Sequence, residues 1–200
     1  LFYGDFDGSG RADIVEAKFE GEACLPRRGF SCSSDAMPFL KEKLGTFHQF
    51  ASSSLAQLYS ESGLSAAKRL EVDCLEHTLW RNEGGRFVPE PLPRRAQIAP
   101  SFDVELIDVS GDAKADLVLA QNCFAPQRET GRMDGGLSMV MLGDGGGGFE
   151  ALPAAVSGLA LGGDVRRVSV IDFDGDGQPE LCFAENDGPL HVFRLTPEAP

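Results

Sequence analysis

The chain has 200 residues, 42% hydrophobic and 24% charged, the balance of an ordinary globular chain, either one domain or part of a larger one. Its formal net charge of −13 argues against a nucleic-acid partner, which needs a basic surface. No run approaches the roughly 18 apolar residues of a membrane span, and 24 glycines with 12 prolines favour an all-β chain over an all-α one.

The chain opens on LFYGDFDG, with no initiator Met, basic leader or apolar leader segment. It starts inside a structural pattern, so further sequence is expected N-terminal to Leu1. The first feature is Asp5–Ile14, DFDGSGRADI, with acidic side chains on alternate residues and glycines between them. Cys24 and Cys32 follow in a loop-like segment and could bridge if the protein is exported. With Cys74, Cys123 and Cys182 they make five cysteines, too few for a disulfide scaffold and without CxxC zinc spacing. Cys182 reads as a plain buried thiol.

From Asp35 to Leu70 the strand pattern is lost. Ser34 or Asp35 can cap a helix with Pro38 in its first turn. Phe39, Leu40 and Leu44, then Leu55, Leu58 and Tyr59, stand at helical spacing. Two or three short helices are expected here, as a packing insertion within a β unit or a surface for a partner.

Beyond it, short apolar runs (ELIDV, DLVLAQ, SMVML, RVSVIDF, ELCFAE, HVFRL) read as strands, and NEGGRF and GDGGGGF as hairpin turns. Aligning Asp108 with Asp172 lays DVSGDAKADLVLAQN over DFDGDGQPELCFAEN at an offset of 64. Phe87 and Phe149, each followed by a Leu-Pro, stand 62 apart. Four short strands per repeat of about sixty residues match one β-propeller blade. The expected fold is all-β: about three four-stranded antiparallel blades of a larger propeller, over 1–34 plus 71–100, 101–163 and 164–200, with a helical insertion at 35–70.

Each acidic loop offers alternate oxygens, as a tight calcium loop does for a hard cation with six to eight oxygen ligands. The first supplies Asp5, Asp7, Ser9, the Arg11 carbonyl and Asp13. The middle supplies Asp108, Ser110, Asp112, the Lys114 carbonyl and Asp116. The third supplies Asp172, Asp174, Asp176, the Gln178 carbonyl and Glu180, and with four carboxylates it ranks highest. The middle loop, with Ser110 and Ala113 replacing a carboxylate and a glycine, ranks lowest or stays empty. A helix-loop-helix calcium hand also fits the first loop, where Glu16 is twelfth and Gly10 sixth. The other loops refuse it, since Leu119 and Phe183 hold the twelfth position and Pro179 the eighth of the third loop.

DFDGSGRADI and DFDGDGQPEL resemble the calcium loops of FG-GAP, or VCBS, repeats, the blades of integrin-α-like propellers. LWRNEGGRF and LGDGGGGF resemble the hairpin of the same unit. The stretch from Arg86 to Ala125, RFVPEPLPRRAQIAPSFDVELIDVSGDAKADLVLAQNCFA, is similar to bacterial exported VCBS proteins, often carrying ASPIC/UnbV domains. The resemblance implies four-stranded blades, calcium between the first two strands, and an extracellular, cell-surface or periplasmic location. Glu180 departs from the usual Asp at its position, and no ASPIC-type region follows in TPEAP. Family members include adhesion and lectin-like modules and some lyases, so no single activity is implied.

The histidines His48, His77 and His191 are scattered, and no nucleophile elbow, phosphate loop or HExxH is present. Trp80 and Phe87 are expected to pack between blades, with sugar stacking by Trp80 the less favoured role. Arg27-Arg28 and Arg94-Arg95 read as solvated surface. The expected function is a calcium-stabilised, non-catalytic binding or adhesion module with a protein or carbohydrate ligand. A lyase-like carbohydrate enzyme with its catalytic groups elsewhere, and an assembly subunit docking through 35–70, are the alternatives.

Overall fold

Short apolar runs separated by glycine- and aspartate-rich turns pair most readily as antiparallel neighbours, because a tight turn can join only strands of opposite direction. The computed structural model, which describes residues 1–127 and 130–196, follows that rule: every strand pair is antiparallel. The chain forms two compact units, Leu1–Cys74 and Leu75–Pro200. Their strands make five small sheets, and none closes on itself among the described residues.

In the first unit, β1 (Phe2–Gly4) pairs with β2 (Asp13–Val15) across the first acidic loop. A separate hairpin follows, β3 (Ala17–Glu20) and β4 (Ala23–Pro26). Five short helices come next: α1 (Phe30–Ala36), α2 (Phe39–Lys43), α3 (Phe47–Ala51), α4 (Leu55–Tyr59) and α5 (Glu61–Ala66). The two-residue β5 (Lys68–Arg69) then returns to β1. The expected helical spacing is realised as packing, with Leu40, Leu55 and Leu58 fully buried beside Phe50 and Tyr59. Thr46 and Ser54 each form a reciprocal capping box, with Gln49 and Gln57, which satisfies amide groups that turns this short would leave exposed.

The expected helix start is corrected. Ser34 and Asp35 lie inside α1, whose N-cap is Gly29 in an extended conformation, and Pro38 precedes α2. The physical reason is aromatic packing upstream, where Phe30 meets Phe47 edge-on at 5.2 Å and Phe50 at 5.3 Å. The loop expected around the first two cysteines is also replaced. Cys24 lies in β4 and Cys32 in α1, both half-buried, with no disulfide joining them.

In the second unit, β6 (Thr78–Glu83) and β7 (Arg86–Pro91) form a hairpin. Its two-residue turn holds Gly84 and Gly85 at φ 63° and 92°, the left-handed pair that matches strand twist. A 3-10 turn at Ala96–Ile98 leads to β8 (Ser101–Ile107), β9 (Asp116–Gln121), β10 (Met139–Gly143) and β11 (Phe149–Ala151). These four make one sheet in the order β11-β10-β9-β8. After the short α6 (Ala154–Ser157), β12 (Val165–Ile171), β13 (Glu180–Glu185) and β14 (Leu190–Arg194) make a three-stranded sheet in chain order.

These two sheets pack face to face. Val118, Ala120 and Val140 from one meet Val165, Val168, Leu181 and Phe183 from the other in a single buried cluster. Each buried Val, Leu or Phe among them contributes about 1.5–3 kcal/mol. Asn122, fully buried at φ 87°, fastens the loops at one end of the stack. Its amide nitrogen donates to the carbonyls of Gly136, Gly162 and Gly163, and its oxygen accepts from the Gly136 N–H. Among the described residues no helix is long and apolar enough to cross a membrane.

Candidate metal centres

All three acidic loops join two adjacent antiparallel strands: β1 to β2, β8 to β9, and β12 to β13. Their residue types dictate a local conformation before any ion is considered. A short aspartate at the head of a turn accepts hydrogen bonds from amides three to five residues on. Asp5 accepts from the N–H groups of Ser9 and Gly10. Asp108 accepts from Gly111, Asp112 and Ala113, and Asp172 from Gly175 and Gly177.

The last carboxylate of each loop closes it at the other end. Asp13 accepts from Phe6 N at 3.1 Å, Asp116 from Val109 N at 2.9 Å, and Glu180 from Phe173 N at 2.9 Å. Glu180 makes this contact despite its extra methylene. Between the ends, the fourth and sixth positions take positive φ: Gly8 and Gly10 at 74° and 79°, Gly111 and Ala113 at 80° and 65°, Gly175 and Gly177 at 78° and 85°. Ala113 adopts the left-handed form although its Cβ disfavours it. One conformation is thus imposed on all three loops.

Strands, not helices, flank the loops. Glu16, the residue that suggested a calcium hand, points elsewhere and pairs with Arg28 at 2.6 Å.

The loops differ in what their carboxylates face. In the first, ligand oxygens of Asp5, Asp7 and Asp13 all lie within 4.8 Å of one another. Ser9 completes the rim: its hydroxyl and N–H hold the Asp7 carboxyl below the usual carboxylate range. Arg11 donates its N–H to the Ser9 hydroxyl.

In the third loop, oxygens of Asp172, Asp174 and Asp176 cluster within the same limit. Asp176 accepts from Gln178 N at 2.8 Å. Glu180 is 3% exposed, and its Oε1 is buried without a hydrogen bond. A buried carboxylate oxygen left in this state is costly unless a cation completes it. An all-oxygen donor set with one such oxygen fits a hard divalent cation such as calcium.

The middle loop gathers no such cluster. Asp116 is fully buried, and backbone amides take up its oxygens: Val109 and Ser110 on Oδ2, and Gly143 at 2.8 Å on Oδ1. Asp112 bonds Lys114 Nζ at 2.8 Å, so the ammonium lowers the acid's pKa and the acid raises the amine's. Ser110 donates toward Asp108 at 3.4 Å. This loop carries its own cation, in the Lys114 ammonium.

Two partners were not legible in the sequence. Arg194, from β14, reaches the third loop, where its guanidinium pairs with Asp174, with Asp176 at 3.4 Å and with Glu180 Oε1 at 3.5 Å. Gly143, 27 positions beyond Asp116, anchors the middle loop. Both contacts depend on strand register, which places Arg194 opposite Glu180.

The three histidines lie in separate segments of the chain. His77 Nδ1 meets the Ala96 carbonyl at 2.8 Å and its Nε2 accepts from Ser101 N at 3.3 Å, so both ring nitrogens are engaged. His191 pairs with Glu185 at 2.9 Å, and His48 lies in α3. Cys182 is buried, and desolvation with the nearby Glu180 charge pushes its thiol pKa up. Trp80 and Phe87, expected to pack, are 50% and 61% exposed, because they project from a two-stranded hairpin. An apolar groove of about 410 Å³ is lined by Leu79, Leu92, Phe102, Val104 and Leu106. Compared with protein-family models, curated proteins and solved structures, the chain matches none.

Proposed function

We propose that this chain is a calcium-stabilised segment of a β-propeller of the FG-GAP/VCBS type, belonging to an exported protein and serving as a non-catalytic binding or adhesion module. The observation that carries the reading is the common loop device. Three loops, each between the first two strands of a sheet, share head and tail carboxylate caps and two left-handed positions. Two of them present clustered carboxylate oxygens. The face-to-face stacking of β8–β11 on β12–β14 is the way neighbouring blades pack, and it supports the same reading.

Calcium in this account is structural. It would be held by Asp5, Asp7, Ser9, the Arg11 carbonyl and Asp13 in the first loop, and by Asp172, Asp174, Asp176, the Gln178 carbonyl and Glu180 in the third. The ion offsets repulsion among carboxylates that the fold forces together. Loops with dissociation constants of about 0.1–1 mM stay filled outside the cell and largely empty in the cytosol. The exposed apolar side chains of Phe102, Val104 and Leu106, all on one face of β8, suit a sheet that another blade covers.

Thermal unfolding with and without calcium tests this reading. At about 2 mM calcium, each site of that affinity adds about 0.6–1.8 kcal/mol. The melting temperature should therefore rise by a few degrees and fall back when chelator is added. Identical melting curves in calcium and in excess chelator would remove the calcium role.

A further inference from the structure

We propose that Arg194 is the resident counter-cation of the third loop, that calcium enters there only by displacing it, and that the loop at Asp5 therefore takes up calcium before the loop at Asp172. The inference rests on the calcium reading above and reverses the order that counting carboxylates gives, since the third loop has four and the first three.

Arg194 stands opposite Glu180 in the β13–β14 ladder, so its side chain rises from the strand beside the loop. Its guanidinium contacts Asp174, Asp176 and Glu180, three of the four carboxylates a calcium ion would need. Glu180 Oε1, buried and without a hydrogen bond, sees Arg194 Nε at 3.5 Å, too far to satisfy it. The guanidinium thus neutralises this oxygen in part and leaves it available to an ion. A divalent cation and a guanidinium on the same carboxylates repel each other. Binding therefore requires the arginine to swing away, which its 58% exposed side chain permits.

The other loops supply the comparison. In the middle loop Lys114 occupies the same role from within the loop, through Asp112. In the first loop, among the described residues, no ion pair reaches Asp5, Asp7 or Asp13, so calcium has no resident cation to displace. By reciprocity, calcium at the third loop releases Arg194 at the end of β14, while anything that holds Arg194 elsewhere promotes calcium binding there.

Calorimetric calcium titration of the wild-type chain, Arg194→Gln and Arg194→Lys tests this. Exposed ion pairs are individually weak, so losing this cluster should tighten the weaker calcium event about three- to tenfold in Arg194→Gln and leave the stronger one unchanged. Arg194→Lys, which keeps the cation, should stay close to wild type. In wild type, the Arg194 Nε–H resonance should shift with the weaker event. Calcium heat that Arg194→Gln leaves unaltered, or weakens, overturns the displacement while sparing the calcium reading. No heat from either protein overturns both.

Discussion

Replacing Ala113 with glycine should stabilise the protein, although it removes a methyl group from a structured loop. Ala113 holds φ at 65°, where its counterparts in the other loops are Gly10 and Gly177 at 79° and 85°. A Cβ in the left-handed region costs about 1–2 kcal/mol, and glycine's greater freedom in the unfolded chain takes back about 0.4–1 kcal/mol. The net gain for Ala113→Gly is about 0.5–1 kcal/mol. In urea unfolding, with a slope of about 1–3 kcal/mol per molar, the midpoint should rise by about 0.2–1 M at unchanged slope. The reverse changes, Gly10→Ala and Gly177→Ala, should cost about 0.5–1 kcal/mol each. No heavy atom lies within 4 Å of a Cβ built at either glycine, so their cost is torsional and not steric. A lowered midpoint for Ala113→Gly, or neutral Gly→Ala changes, would refute a common conformation imposed on the three loops.

Two further outcomes follow from the buried carboxylates. Asp116→Asn sets an amide NH₂ against backbone donors that now feed a carboxylate, and should lose about 2–3 kcal/mol in urea unfolding. A loss below 0.5 kcal/mol, roughly the level of a surface change, would contradict the anchoring role. Asp164 is buried; desolvation raises its pKa, but the Arg166 and Asn186 hydrogen bonds outweigh this and hold it below the usual carboxylate range. Its stabilising contribution is therefore present above the unfolded value of about 3.9 and lost as pH falls through the lower folded value. Urea midpoints measured from pH 5 to 2 should fall less steeply in Asp164→Asn, and an unchanged slope would contradict the assignment.

Much of this was legible in the sequence because it is local. The acidic loops carry their own caps, and apolar runs such as DLVLAQ and ELCFAE are buried along the whole or most of their length, as a central strand requires. The helical core residues Leu40, Leu55 and Leu58 announced themselves by spacing. What stayed hidden depends on distant partners. The start of α1 at Phe30 is decided by rings seventeen and twenty residues on. The β3–β4 hairpin has only four residues per strand and no clear alternation, so its sequence reads as loop. Ser110 and Ala113 already set the middle loop apart in the sequence. The engagement of Asp116 by Gly143 needed the strand pairing, whereas Asp112 meets Lys114 two residues on. Arg194 at the third loop is the clearest case, because no local pattern marks an arginine fourteen residues past the last loop carboxylate.

The measurement that bears most directly on the account is calcium stoichiometry, by equilibrium dialysis or calorimetry, against a background of millimolar magnesium. Two calcium ions should bind per chain, one lost in Asp7→Asn and the other in Asp174→Asn, with Asp112→Asn leaving both in place. No calcium bound, or a stoichiometry unaffected by Asp7→Asn and Asp174→Asn, would contradict it.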